Sequence, residues 1–394
     1  MTHTLRLLLA VLGLAVLSLT AQAAVDPTDV LIKALIEKNV ITEDDAAAVR
    51  AEIANTRQEE DAARKSYPVT GKRPLKVSGY LQTRYTSSDD DTLNSGFEVK
   101  RARLQLAGDA TPVIDYKLQM DFAGAKKAVT AVNSDPTKSK TDLFGKPTLL
   151  DAVIGYKLSQ NTRFQAGQFY IPFGLENITS DAVLDTINRS QTTERLVPGR
   201  DTGNQGRDIG IQFGGIRPLD SEGSRALEYA VALLNGAGIN TGDDNGRADV
   251  AAHVLLKPGI DGLAVGGSYF NGATGTTRVP HERTGLELVY RYGGWAVKGE
   301  YLTGKDDVSK HGYYGTLVRN LSKFTQAVVR YDHVSSSAFK TTDTVKPSKV
   351  TTVGLNWFLS KDTQTRIAVN YELRREDGAQ VANDQLLAQF QASF

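Results

Sequence analysis

From Pro74 to the C-terminus, apolar and polar residues alternate with a period of two, and this constrains the fold more than any other feature of the chain. Ala102, Leu104 and Leu106 share one face of a segment whose other face carries Arg101, Arg103 and Gln105. Tyr116, Leu118, Met120 and Phe122 oppose Lys117, Gln119 and Asp121, and Ile367, Val369, Tyr371 and Leu373 oppose Arg366, Ala368, Asn370 and Glu372. Sixteen such segments can be marked, from Leu75–Ser87 to Leu386–Phe394. Alternation alone suits a soluble sandwich equally well, because its strands also have one wet face. The connections separate the two folds. Short ones (Thr111–Val113, Leu158–Asn161, Gly293-Gly294, Ser322-Lys323) alternate with long polar ones (Ala125–Thr148, Ile171–Gly206, Ser335–Pro347). Short turns at one rim and long loops at the other is the layout of an outer-membrane barrel.

The expected fold is therefore all-β: a transmembrane antiparallel up-and-down barrel of sixteen strands over residues 75–394. An even strand number closes the sheet, and hydrocarbon tolerates no unpaired edge. Tyr156, Tyr170, Tyr290, Trp295, Tyr301, Tyr331, Trp357 and Tyr371 fall near strand ends, where aromatic girdles meet lipid headgroups. A barrel of this strand number leaves an aqueous channel.

Residues 1–24 read as a secretory signal, with Arg6 ahead of the apolar run Leu7–Leu19 and Ala21-Gln22-Ala23 as a small-x-small cleavage site. Residues 25–74 read as a polar helical extension in the periplasm. Val30, Leu31, Ala34 and Leu35 lie on one helical face, and Thr42-Glu-Asp-Asp45 forms an N-cap with acids in the first turn. The extension is either a solvated appendage or a short coiled coil that helps subunits associate.

Composition excludes several functions. Lys and Arg (46) nearly balance Asp and Glu (45), which rules out a basic nucleic-acid-binding chain. There is no Cys, and none of the 5 His residues falls at metal-binding spacing, so neither a metal nor another cofactor is expected. Gly203-Asn-Gln-Gly206 lacks the strand–helix context of a phosphate loop. Asp89-Asp-Asp91 and Gly242-Asp-Asp-Asn-Gly246 lack the spacing of a calcium loop. No Ser/His/Asp arrangement suggests an enzyme.

Val99-Lys-Arg-Ala-Arg-Leu-Gln-Leu106, Gln168-Phe-Tyr-Ile-Pro-Phe-Gly-Leu-Glu176, Gly312-Tyr-Tyr314 and Val353-Gly-Leu-Asn-Trp357 resemble the phosphate-selective porin O and P family. The resemblance implies a homotrimer of sixteen-stranded barrels in the outer membrane of a Gram-negative bacterium. In that family each pore is narrowed by an inward-folded third loop, and basic residues draw in small, phosphate-like anions. Its paired basic residues carry over to Lys100 and Arg101. It also implies that barrel-assembly machinery reads the terminal aromatic strand ending at Phe394.

From Leu75 onward the chain has 37 basic and 35 acidic residues, so any anion preference must come from placement. Arg101, Arg103, Lys117, Lys298, Arg330 and Arg366 fall on the expected lumen face, with Asp115, Asp121, Glu287, Glu300 and Glu372. The third loop adds Arg189, Arg195, Arg200 and Arg207, which either line the pore or pair with nearby acids to hold the loop against the wall. The alternatives to an anion channel are a weakly selective general porin and a structural barrel or sheath around a partner.

Overall fold

The computed structural model describes residues 73, 75–89, 95–123, 147–306, 309–336, 349–360, 364–377 and 380–394, together with residues 32, 36–38, 42, 43, 45 and 46. The chain divides into two units, Met1–Lys72 and Arg73–Phe394. In the first, Ile32, Ile36, Glu37, Glu43, Asp45 and Ala46 are helical. The expected cap is present. The Asp45 backbone N–H donates to Thr42 Oγ1 (3.2 Å), and the Thr42 N–H donates to Asp45 Oδ2 (3.0 Å). The signal segment, and most of the helical extension, lie outside the described residues.

The second unit is a closed antiparallel barrel in which every strand pairs with its sequence neighbours and β1 pairs with β16. The strands are β1 (Lys76–Ser88), β2 (Gly96–Asp109), β3 (Ile114–Asp121), β4 (Thr148–Lys157), β5 (Thr162–Tyr170), β6 (Arg207–Pro218), β7 (Arg225–Leu234) and β8 (Asp249–Pro258). They continue as β9 (Leu263–Thr274), β10 (Val279–Tyr292), β11 (Trp295–Lys305), β12 (Ser309–Asn320), β13 (Thr325–Ser336), β14 (Lys349–Phe358), β15 (Arg366–Arg375) and β16 (Gln385–Ser393). All sixteen expected strands are present.

The burial pattern inverts that of a soluble sandwich. Large apolar side chains such as Ile154, Leu286, Leu355, Trp357 and Phe390 face outward and are exposed. Gln82, Asp151, Glu300, Asn356, Asn370 and Gln391 face inward and are buried. In hydrocarbon this places apolar surface against lipid and lets polar groups satisfy one another inside. The aromatic residues expected at strand ends face outward with one exception. Tyr170, where β5 turns into the third loop, lies beneath Arg207 with the guanidinium carbon 3.5 Å from its ring centroid, so a cation–π contact replaces the lipid boundary.

Candidate functional site

The loop between β5 and β6, residues 171–206, folds into the barrel and carries two short helices, α1 (Leu175–Ile178) and α2 (Gln191–Leu196). Ser190 caps α2 by accepting from the Thr193 N–H (3.0 Å). One side of the loop is apolar: Ile171, Phe173, Leu196 and Val197 pack with Phe270, Leu302 and Val334 of the wall. The rest is fastened by polar groups from much of the wall.

Glu300 of β11 accepts the backbone N–H groups of Leu175 (2.6 Å) and Glu176 (3.0 Å), together with the Tyr314 hydroxyl (2.6 Å). Along residues 181–189, side-chain amides act as a substitute ladder. Gln391 donates to the Ala182 carbonyl (3.0 Å), Asn356 donates to that of Asp185 (2.8 Å), and Asn370 Oδ1 accepts the Ile187 N–H (2.7 Å). Arg366 donates to the Leu184 carbonyl (2.6 Å). Arg330 reaches Thr186 Oγ1 (2.7 Å) and the carbonyls of Asn188 (2.9 Å) and Arg189 (3.2 Å). Farther along, Asp332 accepts from the backbone of Gln191 and Thr192, and Arg283 donates to the Leu196 carbonyl (3.0 Å). A backbone buried in this way has no water to turn to, so each partner supplies a bond that would otherwise be missing.

These contacts show where the expected basic residues stand. Arg103, Arg189, Arg200, Arg207, Arg330 and Arg366 are buried, and each is bonded to the loop or to an acid. Arg207 pairs with Asp151 (2.8 Å), which also holds Lys117 (3.0 Å). Arg200 pairs with Glu194 (2.9 Å). Arg195 is half-buried in the field of Asp332 and Arg374. Asp181 is shared by Arg103 (2.7 Å), Arg189 (3.1 Å) and Arg101 (3.2 Å). Of these residues, Arg103, Arg189, Arg200, Arg207, Arg330 and Arg366 therefore hold the loop rather than line open water.

Lys100 differs from the others. Strict alternation would turn it to lipid, opposite Arg101. A bulge in the β1–β2 pairing intervenes, because Gln82 faces Arg101 while the next residue, Thr83, faces Val99. A bulge re-aims a side chain without breaking the strand. Lys100 consequently lies in the field of Arg84, Arg101, Glu98 and the loop's Glu194. Among the described residues its ammonium has no hydrogen-bond or ion-pair partner. The amides and carboxylates that fasten the loop carry no expected site role, although Glu300 falls on the expected lumen face and Gln82, Asn356, Asn370 and Gln391 sit on the lumen register.

The two central loop acids stay ionised. Burial pushes the Asp181 carboxyl up, but Arg189, Arg101 and Arg103 outweigh it and hold it well below its ordinary 3.8. Burial likewise raises Glu176, and Arg330 and Arg189 bring it below its ordinary 4.5. A carboxyl depressed in the folded state contributes stability above its unfolded pKa, and that stability is lost as pH falls through the folded value. The part of loop closure that rests on Asp181 and Glu176 should therefore be constant from pH 8 to about 5 and fail only in stronger acid, below the unfolded carboxylate pKa of about 4. Single-channel conductance recorded against pH for the parent and for Asp181→Asn checks this, and a difference between the two that already closes by pH 6 would refute it.

Asp243 of the β7–β8 loop accepts the N–H groups of Asn245 (2.9 Å) and Gly246 (2.8 Å), an ordinary turn. No acidic or histidine cluster suited to a metal occurs among the described residues.

A family model described as phosphate-selective porin O and P matches residues 78–394. Comparison with curated protein sequences gives no match. Among solved structures, the anion-selective porin from Comamonas acidovorans is similar, with TM-score 0.57 and 13% identity over 82% of this chain and 100% of that one. The outer membrane channel DcaP of Acinetobacter baumannii is similar, with TM-score 0.57 and 12% identity over 84% and 99%. So is OmpF of Salmonella typhi, with TM-score 0.57 and 12% identity over 82% and 98%. At such identities the structures speak for the fold alone.

Proposed function

The chain belongs to the phosphate-selective porin O and P family and is an outer-membrane porin, and on that footing we propose that Lys100 is the charge its permeating anions meet at the third loop. One observation carries this reading: the bulge in β2 turns Lys100 inward beside Arg84 and Arg101, and no acid among the described residues pairs with it. A cation without a fixed counter-ion at a narrow passage attracts a mobile one. Phosphate and related oxyanions suit it, since neighbouring Arg101 can add parallel hydrogen bonds. Lys117, Arg195 and the buried arginines then contribute through the field and through the shape of the passage.

The same reading gives a channel without catalytic chemistry, assembled as a homotrimer, embedded in outer-membrane lipid and inserted by machinery that reads Phe394. Residues 25–74 extend into the periplasm after removal of residues 1–24. A sheath around a protein partner would need an open lumen, whereas here the third loop is bonded to β1, β2, β9, β10, β11, β13, β14, β15 and β16. A weakly selective general porin remains the competing outcome of the test.

That test is the reversal potential of reconstituted channels under a salt gradient. The parent channel should prefer anions. Lys100→Gln should reduce the anion-to-cation permeability ratio roughly three- to tenfold, the scale of one partly screened charge at a few ångströms, while conductance stays comparable. An unchanged ratio would remove Lys100 from the selectivity mechanism, and a cation-selective parent would overturn the anion reading itself.

A further inference from the structure

Asp181 sits in an unusual balance of donors and acceptors. Its two oxygens face the guanidinium groups of Arg101, Arg103 and Arg189, at 3.2, 2.7 and 3.1 Å. Arg200 adds a fourth cation to its field. The opposing acids are engaged elsewhere. Asp121 holds Arg103 Nε (3.0 Å), Glu194 holds Arg200 (2.9 Å), and Glu176 accepts from Ser190 and lies 3.4 Å from Arg330. Donors still exceed acceptors. The Tyr80 hydroxyl, the Tyr170 hydroxyl and Arg189 Nε are buried without a hydrogen-bond partner, three donors against one such acceptor, Asp181 Oδ1, which meets Arg101 and Arg189 as ion pairs. Both phenols lie within the electrostatic reach of Asp181 and Arg103. A buried polar group left unpaired costs free energy, so a ligand with more acceptor oxygens than a carboxylate would satisfy this nest better.

We infer that Asp181 occupies an oxyanion-binding nest as a stand-in for the solute, and that a tetrahedral oxyanion such as inorganic phosphate displaces it and releases the third loop. The inference rests on the reading of the barrel as an oxyanion channel. Arg101 provides the way in. Its side chain is 19% exposed whereas that of Arg103 is 3% exposed, and it adjoins Lys100. A solute drawn to Lys100 would pass to Arg101 and then compete for Arg103 and Arg189. A dianionic tetrahedral group presents four oxygens to guanidinium forks that Asp181 meets with two. Once displaced, Asp181 no longer pins the start of residues 181–189. The loop would then depend on the amides of Gln391, Asn356 and Asn370 and on Arg330 and Arg366, so its movement is reversible.

The chain has no cysteine, so Val183→Cys creates a single labelling site. Val183 is 44% exposed and lies two residues from Asp181. A nitroxide at this position in barrels reconstituted in liposomes is titrated with inorganic phosphate against chloride at constant ionic strength. The mobile fraction should rise saturably with phosphate, at least threefold, and not with chloride. Adding Asp181→Asn should give a label that is mobile without phosphate and indifferent to it, and Asp181→Glu should restore the response. A label that stays immobile at every phosphate concentration in an anion-selective parent overturns the displacement and leaves the channel reading intact. A parent without anion preference fails at the earlier step, which the reversal potential shows separately. If Asp181→Asn does not assemble, the parent titration decides alone.

Discussion

Arg330→Gln is expected to free the second half of the third loop while leaving the barrel standing. The side chain is 2% exposed and makes three hydrogen bonds to the loop, at Thr186 Oγ1, the Asn188 carbonyl and the Arg189 carbonyl, with Glu176 at 3.4 Å. Removing one member of a buried charged network costs about 3–5 kcal/mol, because its partners stay buried without compensation. Glutamine fills part of the space but cannot supply the same fork of donors. Lysine keeps the charge as a point and should rescue only partly. The strand pairing of β13 with β12 and β14 runs through backbone groups and is untouched. Two measurements should move together: single-channel conductance rises, and trypsin gains access to Arg189, Arg195 and Arg200, which the parent protects. A loop still resistant to trypsin would show that Arg330 is not its fastening.

The barrel itself was legible because its cause is local. β10 shows why: His281, Arg283, Glu287 and Val289 are buried while Leu286, Leu288 and Tyr290 face outward, a period of two visible in any window of ten residues. The lumen face was legible for the same reason, and Arg101, Arg103, Lys298, Arg330 and Arg366 all lie on it. What those residues do there was not, because their partners are distant in sequence. Asp181 is 78 residues from Arg103, Thr186 is 144 from Arg330, and Ala182 is 209 from Gln391. No periodicity encodes such pairs. The direction of Lys100 was hidden for another reason: a single bulge between Gln82 and Thr83 overrides the alternation on which the facing was judged. The family resemblance identified Lys100 without supplying the geometry that turns it inward. Burial and charge balance at the loop separate cations that hold structure from cations that remain open to solute, and this separation appears only once the loop is folded onto its wall.

Gly79→Val should prevent most molecules from closing. Gly79 lies on β1 at the seam with the end of the chain, where its N–H donates to the Phe394 carbonyl (2.9 Å) and its carbonyl accepts the Phe394 N–H (3.1 Å). On the other side it faces Leu104 of β2. A side chain at this position would be driven into the Arg103 carbonyl oxygen and would meet the Phe394 ring at 2.7 Å. The obstruction on one side is backbone that cannot rotate away, so β1 must shift from β2 or from the terminal residue. Either shift opens an edge, and in hydrocarbon each unpaired backbone group costs several kcal/mol. Gly315 of β12 is the control, because a Cβ there meets nothing within 4 Å and Gly315→Val should assemble normally. Deleting Phe394 should be milder than Gly79→Val. It removes the two terminal bonds, each worth about 1 kcal/mol net, yet leaves the register from Tyr80↔Ser393 to Ser88↔Gln385 in place. The amount of heat-modifiable barrel recovered from outer membranes gives the order: Gly315→Val at the parent level, the deletion reduced, and Gly79→Val down at least tenfold. Molecules of the deletion variant that do insert should keep the parent's ion preference, since the two bonds lost are to Gly79 and not to Lys100 or Asp181. Parent-level recovery of Gly79→Val would mean that the barrel does not close through this contact.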